Sequence, residues 1–398
     1  VPFSPSRNTP GQRRSRPLGA LAEFLRNESA GGLVLVLAVV VALIWANSPG
    51  DASYADATHG HGWANVHVWV NEGLMTVFFL VVGLEIKREL VLGELREVRR
   101  AALPIVAAIG GMIVPALVYF AATVGTHASH GWGIPMATDI AMVIGVMALL
   151  GPRVPASLKL FLLALAIVDD LGAIVVIAVF YSDSIAIGPL TIAGGLVAVM
   201  IALRVATVHS TWPYFAVSAG MWWALFEAGV HPTLAGVCLA FVLPAARLEH
   251  AEHALHPISS FLIVPAFALV NAGVAIDVGM TRTSWAVVAG LVLGKPLGIL
   301  AASALAVRVG VAALPSGIAW RQLVGVAALA GVGFTVSIFV SQLAFAGSGA
   351  ALAVALDADA AKLGVLVGSV LSACIGAALL RTTSVHTADE PIDDGQVV

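Results

Sequence analysis

Apolar runs of about 20 residues, divided by short polar or charged connections, recur along almost the whole chain. A helix rises 1.5 Å per residue, so about 20 apolar residues cross the ~30 Å hydrocarbon layer of a bilayer. The pattern predicts twelve such helices, at roughly 30–47, 67–86, 101–124, 131–150, 157–181, 186–204, 211–229, 231–245, 257–277, 284–307, 321–345 and 360–380. The eighth is the shortest. In lipid every backbone polar group has to be satisfied inside its own segment, so the expected fold class is an all-α membrane protein. Residues 1–29 and 382–398 are expected to be cytoplasmic tails, the first of them disordered, around a membrane domain at 30–381.

Composition agrees. Apolar residues make up 59% of the chain and charged residues only 11%, outside the range of a soluble domain; mean hydropathy is +0.97. The net charge of −3 hides a strong asymmetry. With twelve spans and the N-terminus inside, seventeen of the twenty Lys and Arg fall on the cytoplasmic side. Arg282 falls outside, Lys362 at an outer span edge, and Lys295 within a span. The positive-inside rule therefore supports both the even count and the orientation. Cys238 and Cys374 lie in apolar runs and read as buried free thiols. The stretch from Val1 to Leu18 is basic and has no apolar core of a signal peptide. Ser48 to His67, with His59, His61 and His67, reads as an exposed polar loop.

Two trios of spans, 101–181 and 284–380, look alike when read with opposite orientation. Each has an interrupted middle helix. Pro135 lacks an N–H donor in the first, and Gly331 and Gly333 weaken the second just before Thr335. Paired interruptions of this kind point to inverted repeats that build a transport site at the bilayer midplane.

The few charges within the spans gather around these interruptions. Asp169 and Asp170 stand side by side in Leu160-FLLALAIVDDLGAIVVIAVF-Tyr181, with no other charge between Lys159 and Asp183. A carboxylate at that depth costs several kcal/mol, and a second beside it repels it, so the pair needs a proton, a cationic partner or a bound ion. Asp139, the only charge of the fourth span, follows Pro135 beside Thr138 and can neutralise exposed N–H groups. Lys295, the only charge of the tenth span, can neutralise exposed carbonyls, pair with either aspartate, or both. Carboxylates, a hydroxyl and broken-helix carbonyls are hard oxygen donors suited to alkali cations, and no cofactor is expected. A carboxylate that takes either a cation or a proton yields antiport directly. Adjacent helical residues differ by about 100° in direction, so the two aspartates can have different tasks.

Nine stretches in order give the chain a close resemblance to the NhaA-type sodium/proton antiporters from about Gly31 to Leu380. They are Val81-VGLEIKREL-Val91, Ala108-IGGMIVPAL-Val118, Met136-ATDIA-Met142, Ala166-IVDDLGAI-Val175, Gly229-VHPTLAGV-Cys238, Glu252-HALHP-Ile258, Val270-NAGV-Ala275, Gly294-KPLGI-Leu300 and Gly331-VGFTVSIF-Val340. The resemblance implies electrogenic export of Na+, and of Li+, in exchange for inward H+. It implies an essential pair Asp169 and Asp170, with Asp170 the principal cation ligand and Asp169 and Thr138 completing the Na+ site. Asp139 and Thr138 would sit where the broken helices cross, and Lys295 would be the buried lysine. Glu85, Arg88, Glu89, His231, Glu252, His253 and His256 match positions tied to pH response. The setting would be a bacterial inner membrane, with lipid around the protein. A homodimer is the family pattern in members with a hairpin between the first two spans; His59-GHGWANVH-Val68 lacks clear strand alternation.

Two other readings compete. A sodium-coupled symporter of an organic solute would share the fold but need a larger polar or aromatic cavity. An intramembrane aspartyl protease would need a Gly-x-Gly-Asp arrangement, and none occurs.

Overall fold

Every regular element is helical among the residues described by the computed structural model, namely 17–58, 65–182, 185–208, 210–276, 279–315, 318–346 and 352–383. His59, His61 and most of both tails lie outside them. Helix α1 (Pro17–Ala46) starts upstream of residue 30. Proline is pre-shaped for a first helical position, and the Leu-Gly-Ala-Leu-Ala-Glu that follows is mostly strong helix formers. The connection after α1, expected to be an exposed loop, instead contains α2 (Asp51–Thr58). Tyr54 of α2 is buried, and its hydroxyl reaches the carbonyls of Leu269 and Val270 at 3.0 and 2.9 Å.

The membrane-crossing set follows the hydropathy pattern. It comprises α3 (Val66–Val91), α4 (Val98–Thr123), α6 (Ala156–Phe180), α7 (Ile187–Val205), α10 (Ala245–Asn271), α11 (Arg282–Arg308) and α14 (Leu352–Arg381). Two further spans are bent pairs: a 3-10 segment, His127–Met136, with α5 (Ile140–Leu150) at 46°, and α12 (Trp320–Leu329) with α13 (Phe334–Ala346) at 48°. Among the described residues this makes seven helices long and apolar enough to cross, or nine with each pair counted as one. The three remaining runs of the sequence pattern are shorter helices: Ala30–Ala46 within α1, α8 (Trp212–Ala228) and α9 (Leu234–Val242). Pro213 and Gly229 bracket α8, and Pro232 and Pro244 bracket α9, so neither can lengthen.

Lipid offers apolar groups no reason to leave it, so these helices associate through close packing. The most extensive contact joins α4 to α11, where Gly110 and Gly298 face each other. A Cβ on Gly298 would lie 2.1 Å from the carbonyl oxygen of Gly110. Gly236 brings α9 equally close to the Thr76 carbonyl of α3. Helices α7 and α8 pack on each other at the periphery, and α7 exposes most of its apolar surface. Pro265 and Pro296 deny a hydrogen bond to the preceding turn, and wider π turns precede both, at Ser259–Ile263 and Gly290–Gly294. The second of these delivers Lys295 to the centre of the protein.

Candidate functional site

The two breaks meet. After Pro135 the helix cannot continue its bonding, and Ala137 and Asp139 take extended backbone angles. The Asp139 N–H donates to the carbonyl of Val332 in the other break, at 2.7 Å. Gly331 and Gly333 permit this approach. A Cβ on Gly331 would sit 2.3 Å from the Leu291 carbonyl, and one on Gly333 would sit 2.9 Å from the Ala137 carbonyl.

Four half-helix ends are thereby exposed in the protein interior, and each has a partner. Asp139 serves both amide ends. Its Oδ1 accepts from Met142 N–H at 3.0 Å, at the start of α5. Its Oδ2 accepts from the N–H and hydroxyl of Thr335, at 3.1 and 2.8 Å, at the start of α13. The carbonyl ends take donors instead. Lys295 Nζ donates to the Met136 carbonyl, and the Thr138 hydroxyl lies 3.0 Å from the Ala330 carbonyl oxygen. Anion against amide ends and cation against a carbonyl end is the arrangement that helix dipoles favour.

Lys295 Nζ also lies 2.5 Å from Asp169 Oδ2, with neither side chain exposed. The Thr138 hydroxyl is 2.7 Å from the same oxygen. Asp169 therefore faces the crossing. Asp170, one residue on and turned about 100° around α6, faces elsewhere. Its Oδ1 is buried without a hydrogen-bond partner among the described residues. It lines a cavity of about 60 Å³ together with Thr138, Asp139, Thr335, Glu85 and His256. That volume holds a few waters or a partly hydrated cation, and the donors around it are chiefly hard oxygens.

The crossing thus unites Asp139, Thr138, Asp169 and Lys295, with Asp170 beside it. Thr138 bonds to Asp169 and not to Asp170, though Thr138 and Asp170 line the same cavity. Of the seven residues matched to pH response, six lie toward one end of α3. Arg88 pairs with Glu252. His256 Nε2 is 3.6 Å from Glu85 Oε1. Exposed His253 has its Nδ1 3.0 Å from the Glu249 carbonyl, and the Glu89 carboxyl fills the space a side chain at Gly93 would need. His231 is separate. It is buried between α8 and α9, 3.6 Å from Glu72 near the other end of α3.

Sequence reasoning left several participants unassigned. Lys87 caps α9 by donating to the carbonyls of Ala240, Phe241 and Leu243. Only its position as a cation just inside an apolar run hinted at this. Asn71, Asn271 and Gln342 form a buried carboxamide cluster joining α3, α10 and α13. Isolated amides within apolar runs were the available signal.

The family described as Na+/H+ antiporter 1 matches residues 22–380. The Na(+)/H(+) antiporter NhaA of Shewanella frigidimarina is 47% identical over 379 residues, covering 90% of this chain and 95% of its own. The Na(+)/H(+) antiporter NhaA 2 of Pseudomonas syringae pv. syringae is 46% identical over 389 residues, covering 94% and 97%. The NhaA antiporter of Rhodospirillum rubrum is 46% identical over 400 residues, covering 94% and 100%.

Proposed function

Since this chain belongs to the Na+/H+ antiporter 1 family, we propose that it exports Na+ across a bacterial plasma membrane in exchange for H+. The observation that carries the reading is Asp170, a buried carboxylate with a free oxygen on a cavity, next to a second carboxylate already engaged by a lysine. Asp170 binds the cation, and Thr138 adds an oxygen. When the cation leaves, a proton takes its place on the carboxylate, so the same group returns neutral. Asp169 exchanges partners between Lys295 and the arriving cation. Asp139 holds the two amide ends in place, so the crossing stays assembled while the charge on the pair changes.

The finer features of this reading are twelve spans with two inverted repeats, both tails cytoplasmic, and Li+ as a second cargo. Exchange is electrogenic, with more protons entering than cations leaving. Besides the proton on Asp170, Lys295 gives up one when Asp169 turns to the cation and regains it when the pair re-forms. One net charge is worth about 2.3 kcal/mol per 100 mV. The group around Glu85 and Glu252, with His231, sets the pH response, and the protein works as a homodimer in the lipid.

Proton flux in inside-out vesicles tests the function, with Na+, Li+ or K+ added across pH. The expected result is collapse of a preset pH gradient by Na+ and Li+ and not by K+. Absence of Na+-dependent proton flux, or a requirement for an organic solute, would overturn it.

A further inference from the structure

A second cavity, of about 180 Å³, lies toward the other end of the same two helices. Its walls include Glu72 of α3, Leu343 and Ala346 of α13, His231, Tyr181 and Phe226. The first cavity uses Glu85 of α3 and Thr335 of α13. Glu72 and Glu85 are thirteen residues apart on α3, about 20 Å along its axis. One pair of helices therefore carries a carboxylate-lined cavity at each end.

Between them stands Phe339, one turn beyond Thr335 and one turn before Leu343 on α13. Its ring is fully buried and packs on Phe79 and Phe267 with centroids 5.4 and 6.2 Å apart. On the side of the second cavity it meets the His231 ring, at 5.2 Å.

Glu72 is held in place by its backbone, and the ionisable side chain facing its carboxyl is His231. The backbone carbonyl of Glu72 accepts from the Trp222 indole at 2.9 Å and from the Thr76 hydroxyl at 2.5 Å, which fixes that turn of α3. Its Oε2 is buried with no hydrogen-bond partner among the described residues. Among the described residues no Lys or Arg lines the cavity. The His231 Nδ1 is 3.6 Å away, beyond bonding distance, and also 3.3 Å from the Thr233 hydroxyl. A carboxylate so placed, beside space for several waters, is complemented by a cation that comes and goes.

We propose that Glu72 is a second binding site for a small monovalent cation, across the Phe339 plug from Asp170, where the transported ion pauses on its way to or from the far face. The inference rests on the antiport reading for its physiological sense. The binding itself is measurable apart from transport.

The test uses full-length protein in detergent with Cys238→Ala, Cys374→Ala and Leu343→Cys. Asp170→Asn is added to remove the central ligand. The rate of modification of the new thiol by a cationic methanethiosulfonate is followed in NaCl and in choline chloride of equal ionic strength. Sodium is expected to slow modification, about fourfold at three times its dissociation constant from simple occupancy. Glu72→Gln should abolish the effect, and Glu72→Asp, which keeps the charge, should retain part of it. Equal rates in sodium and choline, protection that survives Glu72→Gln, or a thiol that never reacts would each overturn the site. Protection in a protein whose parent shows no Na+-dependent proton flux would overturn the antiport reading and leave the site standing.

Discussion

Lys295 and Asp169 form an ion pair at 2.5 Å in which neither side chain has any exposed surface. Removing one member leaves the other charged and buried, whereas removing both leaves little to compensate. Lys295→Met is therefore expected to destabilise by about 3–5 kcal/mol, and also frees the Met136 carbonyl. The double variant with Asp169→Asn should recover part of that loss. Thermal unfolding midpoints in detergent check this; a single variant as stable as the parent would contradict the pairing.

Asp170→Asn is expected to bring exchange to background while the protein stays folded and inserted. The amide keeps the size of the side chain but cannot carry a proton or balance a cation. Asp169→Asn should be nearly as damaging and in addition less stable, because Lys295 loses its counter-ion. Flux in reconstituted vesicles, paired with melting curves, separates the two; normal exchange by Asp170→Asn would remove it from the site.

Asp139 holds the starts of α5 and α13 together, and each lost cap costs about 1 kcal/mol. Asp139→Ala removes both caps and the charge. Thr335→Val removes one hydroxyl bond and leaves the Thr335 N–H bond in place, at a cost of about 1 kcal/mol. Asp139→Ala should thus lower the melting midpoint distinctly more than Thr335→Val. Equal losses would mean that Asp139 does not bridge the two half-helices.

The breaks were legible in the sequence because Pro135 and the pair Gly331 and Gly333 have local backbone consequences that neighbours cannot undo. The charges around them were legible because lipid makes an isolated charge expensive. The partner choices were not. Lys295 could have gone to either aspartate, and only the π turn before it and the crossing of α5 with α13 direct it to Asp169 and Met136. Glu72 escaped notice because it sits near a span edge, where a carboxylate looks solvated; its burial comes from α8, α9 and α13, all distant in sequence. The helix at Asp51–Thr58 escaped for a related reason. Its polar sequence gives almost no amphipathic signal, and it is docked by Tyr54 with Thr58 buried one turn further on.

Close packing between α4 and α11 gives a prediction about methyl groups. A Cβ at Gly298 would lie 2.1 Å from the Gly110 carbonyl oxygen, which is backbone and cannot swing aside. At Gly145 nothing lies within 4 Å. Gly298→Ala should push the two helices apart, lower stability by about 1–3 kcal/mol and reduce exchange, since Lys295 is one turn away on the same helix. Gly145→Ala should be tolerated, with slightly better helix propensity. Folding yield and melting midpoint of the two variants decide the matter.

The last prediction separates two sources of pH dependence. His256 and Glu85 line the cavity with Asp170 and Asp139, whereas Arg88 and Glu252 pair outside its lining, with exposed His253 beside Glu252. When its imidazole is protonated, His256 places a positive charge at the cavity wall that opposes a cation approaching Asp170. Removing that charge with His256→Ala should therefore extend activity toward lower pH and lower the half-saturating sodium there, with little effect at alkaline pH. Glu252→Gln acts on the Arg88 pair instead. It leaves Arg88 uncompensated next to the same helix end, so it should shift the pH at which activity appears while leaving sodium affinity at full activation unchanged. Rates measured against pH at low and saturating sodium distinguish the two effects. If both variants keep the parent profile, competition between protons and sodium at the aspartates is the whole cause of the pH dependence, and saturating sodium should then erase it on the acid side.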